Sequence, residues 1–169
     1  QREFDLPKYD AEIITGHKKF ADLFEAATEL CGKPKKVSNW IMVETMRLLK
    51  ENNMDPEDIR FSPVNLAKLI NLADSGSITN TVAKEVFERI FKDDIDPEKY
   101  VEEKGLKTVN DEGALRETVQ KVLADNPQSV EDYHNGKEKA IGFLVGQTMK
   151  AMKGKANPAL VNQILKELL

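Results

Sequence analysis

Apolar residues recur at three- and four-residue spacing along almost the whole chain, and no stretch sustains the alternation of a half-buried strand. On a helix that spacing gathers side chains onto one face, so the pattern predicts an all-α fold built from amphipathic helices in a bundle. After a cap at Asp10, one helix carries Ile13, Ile14, His17, Phe20, Leu23, Phe24 and Ala27 on one face and stops near Cys31 and Gly32. Lys33, Lys35 and Lys36 make the next stretch a basic linker, and Ser38 reads as the cap of the following helix. Asp55-Pro56, Ser62-Pro63, Asp96-Pro97 and Asn157-Pro158 each set a capping side chain before a proline at the first helical position. A boundary falls near Leu106. The reading divides the chain into a helical domain over 1–106 and a smaller helical tail domain over 107–169. The last helices are expected over Lys137–Lys153 and Pro158–Leu169.

Composition removes several classes of function. One cysteine, Cys31, excludes an internal disulfide and fits a reducing, cytoplasmic compartment. The two histidines, His17 and His134, lie far from each other and from Cys31 in sequence, so no zinc-ligand spacing exists and no metal site is expected. His17 reads as a packed histidine on an apolar face, and Cys31 as an inert helix-end thiol. No apolar run approaches the roughly 20 residues of a membrane span. No phosphate-binding loop, nucleophile elbow or carboxylate cluster is present, so no catalytic residue is assigned. Aromatics make up 7% of the chain, too few for a base-stacking sheet. The chain begins at Gln1 rather than Met, as a portion of something longer would.

Charge is unevenly placed. The net charge is −4, yet Lys137–Leu169 holds six lysines against Glu138 and Glu167, a local balance of +4. An acidic body with a basic end points to a polyanion contact confined to that end. Within it, Gly142 and Gly146 share a helix face, and a glycine in a helix interior costs about 1 kcal/mol relative to alanine. Two such costs on one face imply close approach by another helix or by a ligand backbone. Beyond them, Lys150 and Lys153 project from the expected last turn, Gly154 suits a left-handed cap and Lys155 extends from the turn. The helix start at Asn157-Pro158 adds a positive dipole end with amide groups to offer. These features read either as a phosphate grip or as ordinary capping of two helix ends.

The segment GKEKAIGFLVGQTMKAMKGKANPALVNQILKELL, with YDAEIIT, SNWIM, ITNTVAKEVFERI and VEEKGL upstream, resembles the C-terminal part of the B subunits of aspartyl/glutamyl-tRNA(Asn/Gln) amidotransferases. It also resembles, in outline, the small YqeY-like proteins. The resemblance covers essentially the whole chain. It implies a helical domain followed by a YqeY-like tail, both contacting the body of tRNA(Gln) or tRNA(Asn). It also implies a complex with two other proteins, the amidase (A) subunit and the small (C) subunit. That complex converts misacylated Glu-tRNA(Gln) or Asp-tRNA(Asn) to the amidated forms, using glutamine as amido donor. ATP and Mg belong to an N-terminal domain of the full B protein that this chain does not include. The chain alone is then expected to be inactive, without cofactor, and monomeric. On this reading Lys150, Lys153 and Lys155 meet phosphates, and Lys137 and Lys139 assist. Gly142 and Gly146 permit close approach, and Gln147 reaches sugar or base edges. The alternative is a protein-interaction module whose glycine face docks another helix.

Overall fold

The computed structural model describes residues 4–169, and every named element among them is helical. Among the described residues the nearest thing to a sheet is one isolated parallel bridge between Val109 and Ala156. Two compact units are distinguished. The first comprises the chain up to Gly76 together with Ala83–Gly105, and the second comprises Ser77–Val82 with Leu106–Leu169.

The first unit opens with α1 (Lys8–Gly16) and α2 (Lys18–Cys31). The periodicity predicts a single helix here. The chain instead breaks at His17, whose φ of −126° and ψ of 118° are extended, next to Gly16, a residue type that weakens a helix interior. His17 is consequently exposed, with its ring edge-on to Phe20, and the packed core histidine expected from the pattern is not found. The lysine-rich linker is also helical. Pro34 starts α3 (Pro34–Asn39), which runs through a π-helical stretch, Trp40–Thr45, into α4 (Met46–Glu51). Ser38 therefore caps nothing; it is buried and donates to Asp10 at 3.2 Å.

The proline-led starts behave as the sequence predicts. Asp55 and Asp58 form a reciprocal capping box around the short 3-10 turn Pro56–Asp58. Ser62 caps α5 (Pro63–Asp74), and Asp96 caps α7 (Pro97–Glu103). Between them runs α6 (Asn80–Asp93). Phe20, Ile41, Leu66, Leu69, Ile70, Phe87 and Ile90 are fully buried, and the Phe87 ring meets Trp40 at 5.1 Å and Phe61 at 5.5 Å. These rings and branched side chains supply most of the apolar burial that holds such a bundle together.

The second unit contains α8 (Glu112–Asp125), α9 (Pro127–His134), α10 (Lys139–Ala151) and α11 (Pro158–Leu168). Asp111 is the α8 cap, its carboxylate accepting from the Ala114 amide at 3.2 Å. Leu115, Val119, Val122, Leu144, Ala156, Val161, Ile164 and Leu165 form the buried core of this unit. Ile141, Val145, Met149 and Met152 pack against it, so the inner side of α10 is fixed by its own apolar stripe. The segment 77–82 joins this unit through contacts that periodicity does not announce. Thr108 donates its amide to the Ser77 carbonyl at 2.9 Å, and the Thr79 hydroxyl donates to the Gly154 carbonyl at 2.6 Å.

Candidate functional site

With its inner stripe committed to the core, α10 has a definite outer face. Lys139, Gly142, Phe143, Gly146 and Lys150 are all exposed, and their spacing places them on one side of the helix. Gln147 flanks that side and is half-buried. A Cβ built on Gly142 or on Gly146 would have no atom within 4 Å. No described helix of this chain packs on the glycine pair, so internal packing does not explain it.

The cations of this face are uncommitted. Lys139, Lys150 and Lys153 form no ion pair among the described residues. No Asp or Glu occurs anywhere between Lys139 and Lys166, so the face also carries no neutralising charge of its own helix. Lys137 is different: its ammonium lies 2.9 Å from an Asp132 carboxylate oxygen, and the Lys137 hydrogen bond holds that carboxyl below its usual range. Lys137 precedes the helix, which begins at Lys139.

The turn after α10 is shaped by its neighbours. The helix ends at Ala151, two residues before the expected Lys153, and the chain then places two consecutive residues in the left-handed region, Lys153 at φ 53° and Gly154 at φ 73°. The other positive-φ residues that are not glycine are Asp5, Asn53 and Asp94, types that tolerate this conformation. Lys153 is the exception, at a strain of about 1 kcal/mol or more. Gly154 is required for two reasons. Its φ is positive, and a Cβ there would come within 2.8 Å of Thr81 Cγ2. Downstream, the Val109 amide donates to the Lys155 carbonyl at 2.7 Å and the Asn157 amide to the Val109 carbonyl at 3.1 Å. The turn is thus held by backbone bonds from both flanks, and Lys153 is exposed on this fixed loop.

The start of α11 does not have the open amides expected from the sequence. Asn157 Oδ1 accepts from the amides of Ala159 and Leu160, Pro158 has none, and the Val161 amide donates to the Asn157 carbonyl. Every donor of the first turn is occupied, so the dipole remains but no free amide is left for a phosphate.

The structure therefore brings Lys139, Gly142, Gly146 and Lys150 onto one face of α10, with Gln147 at its edge and Lys153 just past its end. Lys155 is half-buried in the pinned turn. Phe143 is the residue that the sequence pattern does not single out. It is 48% exposed in the middle of this face. Its position beside two glycines, at helical spacing from Lys139 and Lys150, is the available signal.

Other chemistry is sparse. Among the described residues no three His, Cys, Asp or Glu side chains stand together to hold a metal ion. No helix among them is long and apolar enough to cross a membrane.

Comparison with known proteins places this geometry in context. A family model described as GatB domain matches residues 22–169. The B subunit of the aspartyl/glutamyl-tRNA(Asn/Gln) amidotransferase of Agathobacter rectalis is 70% identical over 169 residues, covering 100% of this chain and 36% of that relative. The proteins of the same name from Lachnoclostridium phytofermentans and Thermoanaerobacter sp. are 61% and 55% identical, each covering 99% of this chain and 35% of the relative. The chain thus spans about a third of the length of the curated relatives it matches.

Proposed function

The chain belongs to the GatB family and corresponds to its C-terminal part, and from that premise we propose that it is the tRNA-binding portion of an amidotransferase B subunit. In this reading the full complex makes Gln-tRNA(Gln) or Asn-tRNA(Asn) from the misacylated forms in the cytoplasm. The amidase (A) and small (C) subunits act alongside it, and ATP and Mg serve the part of the B protein outside this chain. The present portion holds the tRNA body and carries out no bond-making step.

The observation that carries the proposal is the outer face of α10. It combines unpaired lysines, no acidic residue, and two glycines whose missing side chains leave the helix backbone open to contact. A folded RNA is recognised largely through phosphates, 2′-hydroxyls and shape, and each of these needs close approach more than it needs a pocket. Lys139, Lys150 and Lys153 supply charge for phosphates. Gly142 and Gly146 let sugar–phosphate backbone settle against the helix, and Gln147 donates or accepts from the edge. Because Lys153 stands on a turn fixed by Val109 and Thr79, little backbone ordering entropy is lost on contact.

The test is titration of the 169-residue chain with folded tRNA(Gln), tRNA(Asn) and a tRNA of another amino acid, at two salt concentrations. Preferential binding of the first two that weakens steeply with salt supports the reading. Weak binding without preference returns the face to a protein-docking role.

A further inference from the structure

We propose that Phe143 stacks on a base left accessible by the folded RNA, supplying the non-ionic half of a contact whose ionic half comes from Lys139 and Lys150. The inference rests on the RNA reading above and deepens it. The other large apolar residues of α10 are packed inward: Leu144 is fully buried, and Ile141, Val145 and Met149 pack against the core. Phe143 alone among them stands 48% exposed. Nothing inside the unit accounts for a phenyl ring there.

Its surroundings suit a flat partner. Gly142 adjoins it in sequence and Gly146 lies one turn on, and neither position has an atom that a planar group would strike. Lys139 lies about 6 Å before Phe143 along the helix axis and Lys150 about 10 Å after it. Two uncommitted ammonium groups thus bracket the ring on the same face, within side-chain reach of the phosphates either side of one nucleotide. Every base offers a π-face, so such a contact needs no base-specific hydrogen bonds.

Charge and area favour RNA over a protein partner. The face offers a single large apolar side chain between two glycines. A phenyl ring buries on the order of 200 Å² at most, whereas a stable protein interface needs about 800 Å² from each partner. The remainder of the face is cationic, which complements a phosphate backbone.

The experiment compares wild type with Phe143→Ala, Phe143→Leu and Phe143→Trp by titration with a folded tRNA(Gln) transcript over a salt series, with thermal unfolding as a folding control. Alanine is expected to weaken binding roughly five- to 150-fold, the range seen for lost base–aromatic stacking. The dependence of affinity on salt should not change, because no cation is removed. Leucine, which keeps apolar bulk but loses the ring, should bind as poorly as alanine. Tryptophan should restore binding, with indole fluorescence quenched on RNA addition beyond any change in wild type. Leucine binding as tightly as wild type, or alanine without effect while wild type still binds, overturns the stacking role and leaves the RNA reading standing. A wild type without salt-dependent binding overturns both.

Discussion

Two lysine-rich segments lie in this chain, one in each unit, and they are put to different uses. In the first unit, Lys33 lies 3.0 Å from Asp74, Lys36 lies 3.4 Å from the same carboxylate, and Lys35 pairs with Asp5. The hydrogen bonds from Lys33 and then Lys36 hold the Asp74 carboxyl below its usual range. In the second unit, Lys150 and Lys153 meet no carboxylate among the described residues, and Lys153 holds a strained backbone conformation. Similar local sequence therefore yields a neutralised helix start in one place and an open cationic rim in the other. The difference lies in tertiary partners: Asp5 and Asp74 are remote in sequence from the first segment, whereas Lys150 and Lys153 form no ion pair with any described residue.

The contrast breaks most visibly if the two clusters are removed in turn. Replacing Lys139, Lys150 and Lys153 with alanine should lower the slope of log affinity for tRNA against log salt by about 2 to 3, one counterion set per lost phosphate contact. Replacing Lys33, Lys35 and Lys36 should leave that slope unchanged. A salt series of binding isotherms measures both.

Next in size is Gly154→Ala. The positive φ and the approach to Thr81 together should destabilise the second unit by about 2 kcal/mol, read by denaturant unfolding. Lys153→Gly sharpens the contrast in the opposite direction. Relief of the left-handed backbone should raise stability by about 1 kcal/mol, while tRNA affinity falls with the lost charge. A gain in stability with undiminished binding would mean that the strain serves no RNA contact.

The smallest effect is in acid. Asp74, Asp96 and Asp5 have lowered carboxyl pKa values, caused first by hydrogen bonds from Lys33, Lys68 and Lys35 respectively. A depressed carboxyl contributes stability that is complete above the unfolded value, near 4, and is lost as pH falls through the lowered folded value. Thermal unfolding should therefore be flat from about pH 7 to about 5 and decline below about 4. The wild type should decline more than the Lys33, Lys35 and Lys36 variant, which has already lost the pairs to Asp74 and Asp5.

Much of the fold is legible because helix starts in this chain are written as a capping side chain followed by proline. The side chains of Ser62, Asp96 and Asn157 each accept the amides that this pattern assigns to them. The same logic corrects the phosphate site expected at α11, since an effective Asn157 cap uses the very amides that a phosphate would need. What is not legible depends on distant partners. Thr79 reaches Gly154 across 75 residues of sequence, and Ser38 turns to Asp10 across 28. Spacing alone also leaves the glycine pair open between helix packing and ligand approach. The empty space over Gly142 and Gly146 removes the first choice among the described residues. Phe143 is hidden in the sequence because it is one apolar residue in an apolar helix, and only the direction of the core separates it from Leu144 and Val145.

If the glycine face of α10 is kept bare for RNA, the double change Gly142→Ala and Gly146→Ala tests it most directly, with thermal unfolding and tRNA titration on the same sample. Both methyl groups enter open space, and each substitution should stabilise an exposed helix interior by about 1 kcal/mol. The expected protein unfolds at higher temperature and binds tRNA more weakly. A more stable protein with wild-type tRNA affinity would contradict an RNA role for the bare face.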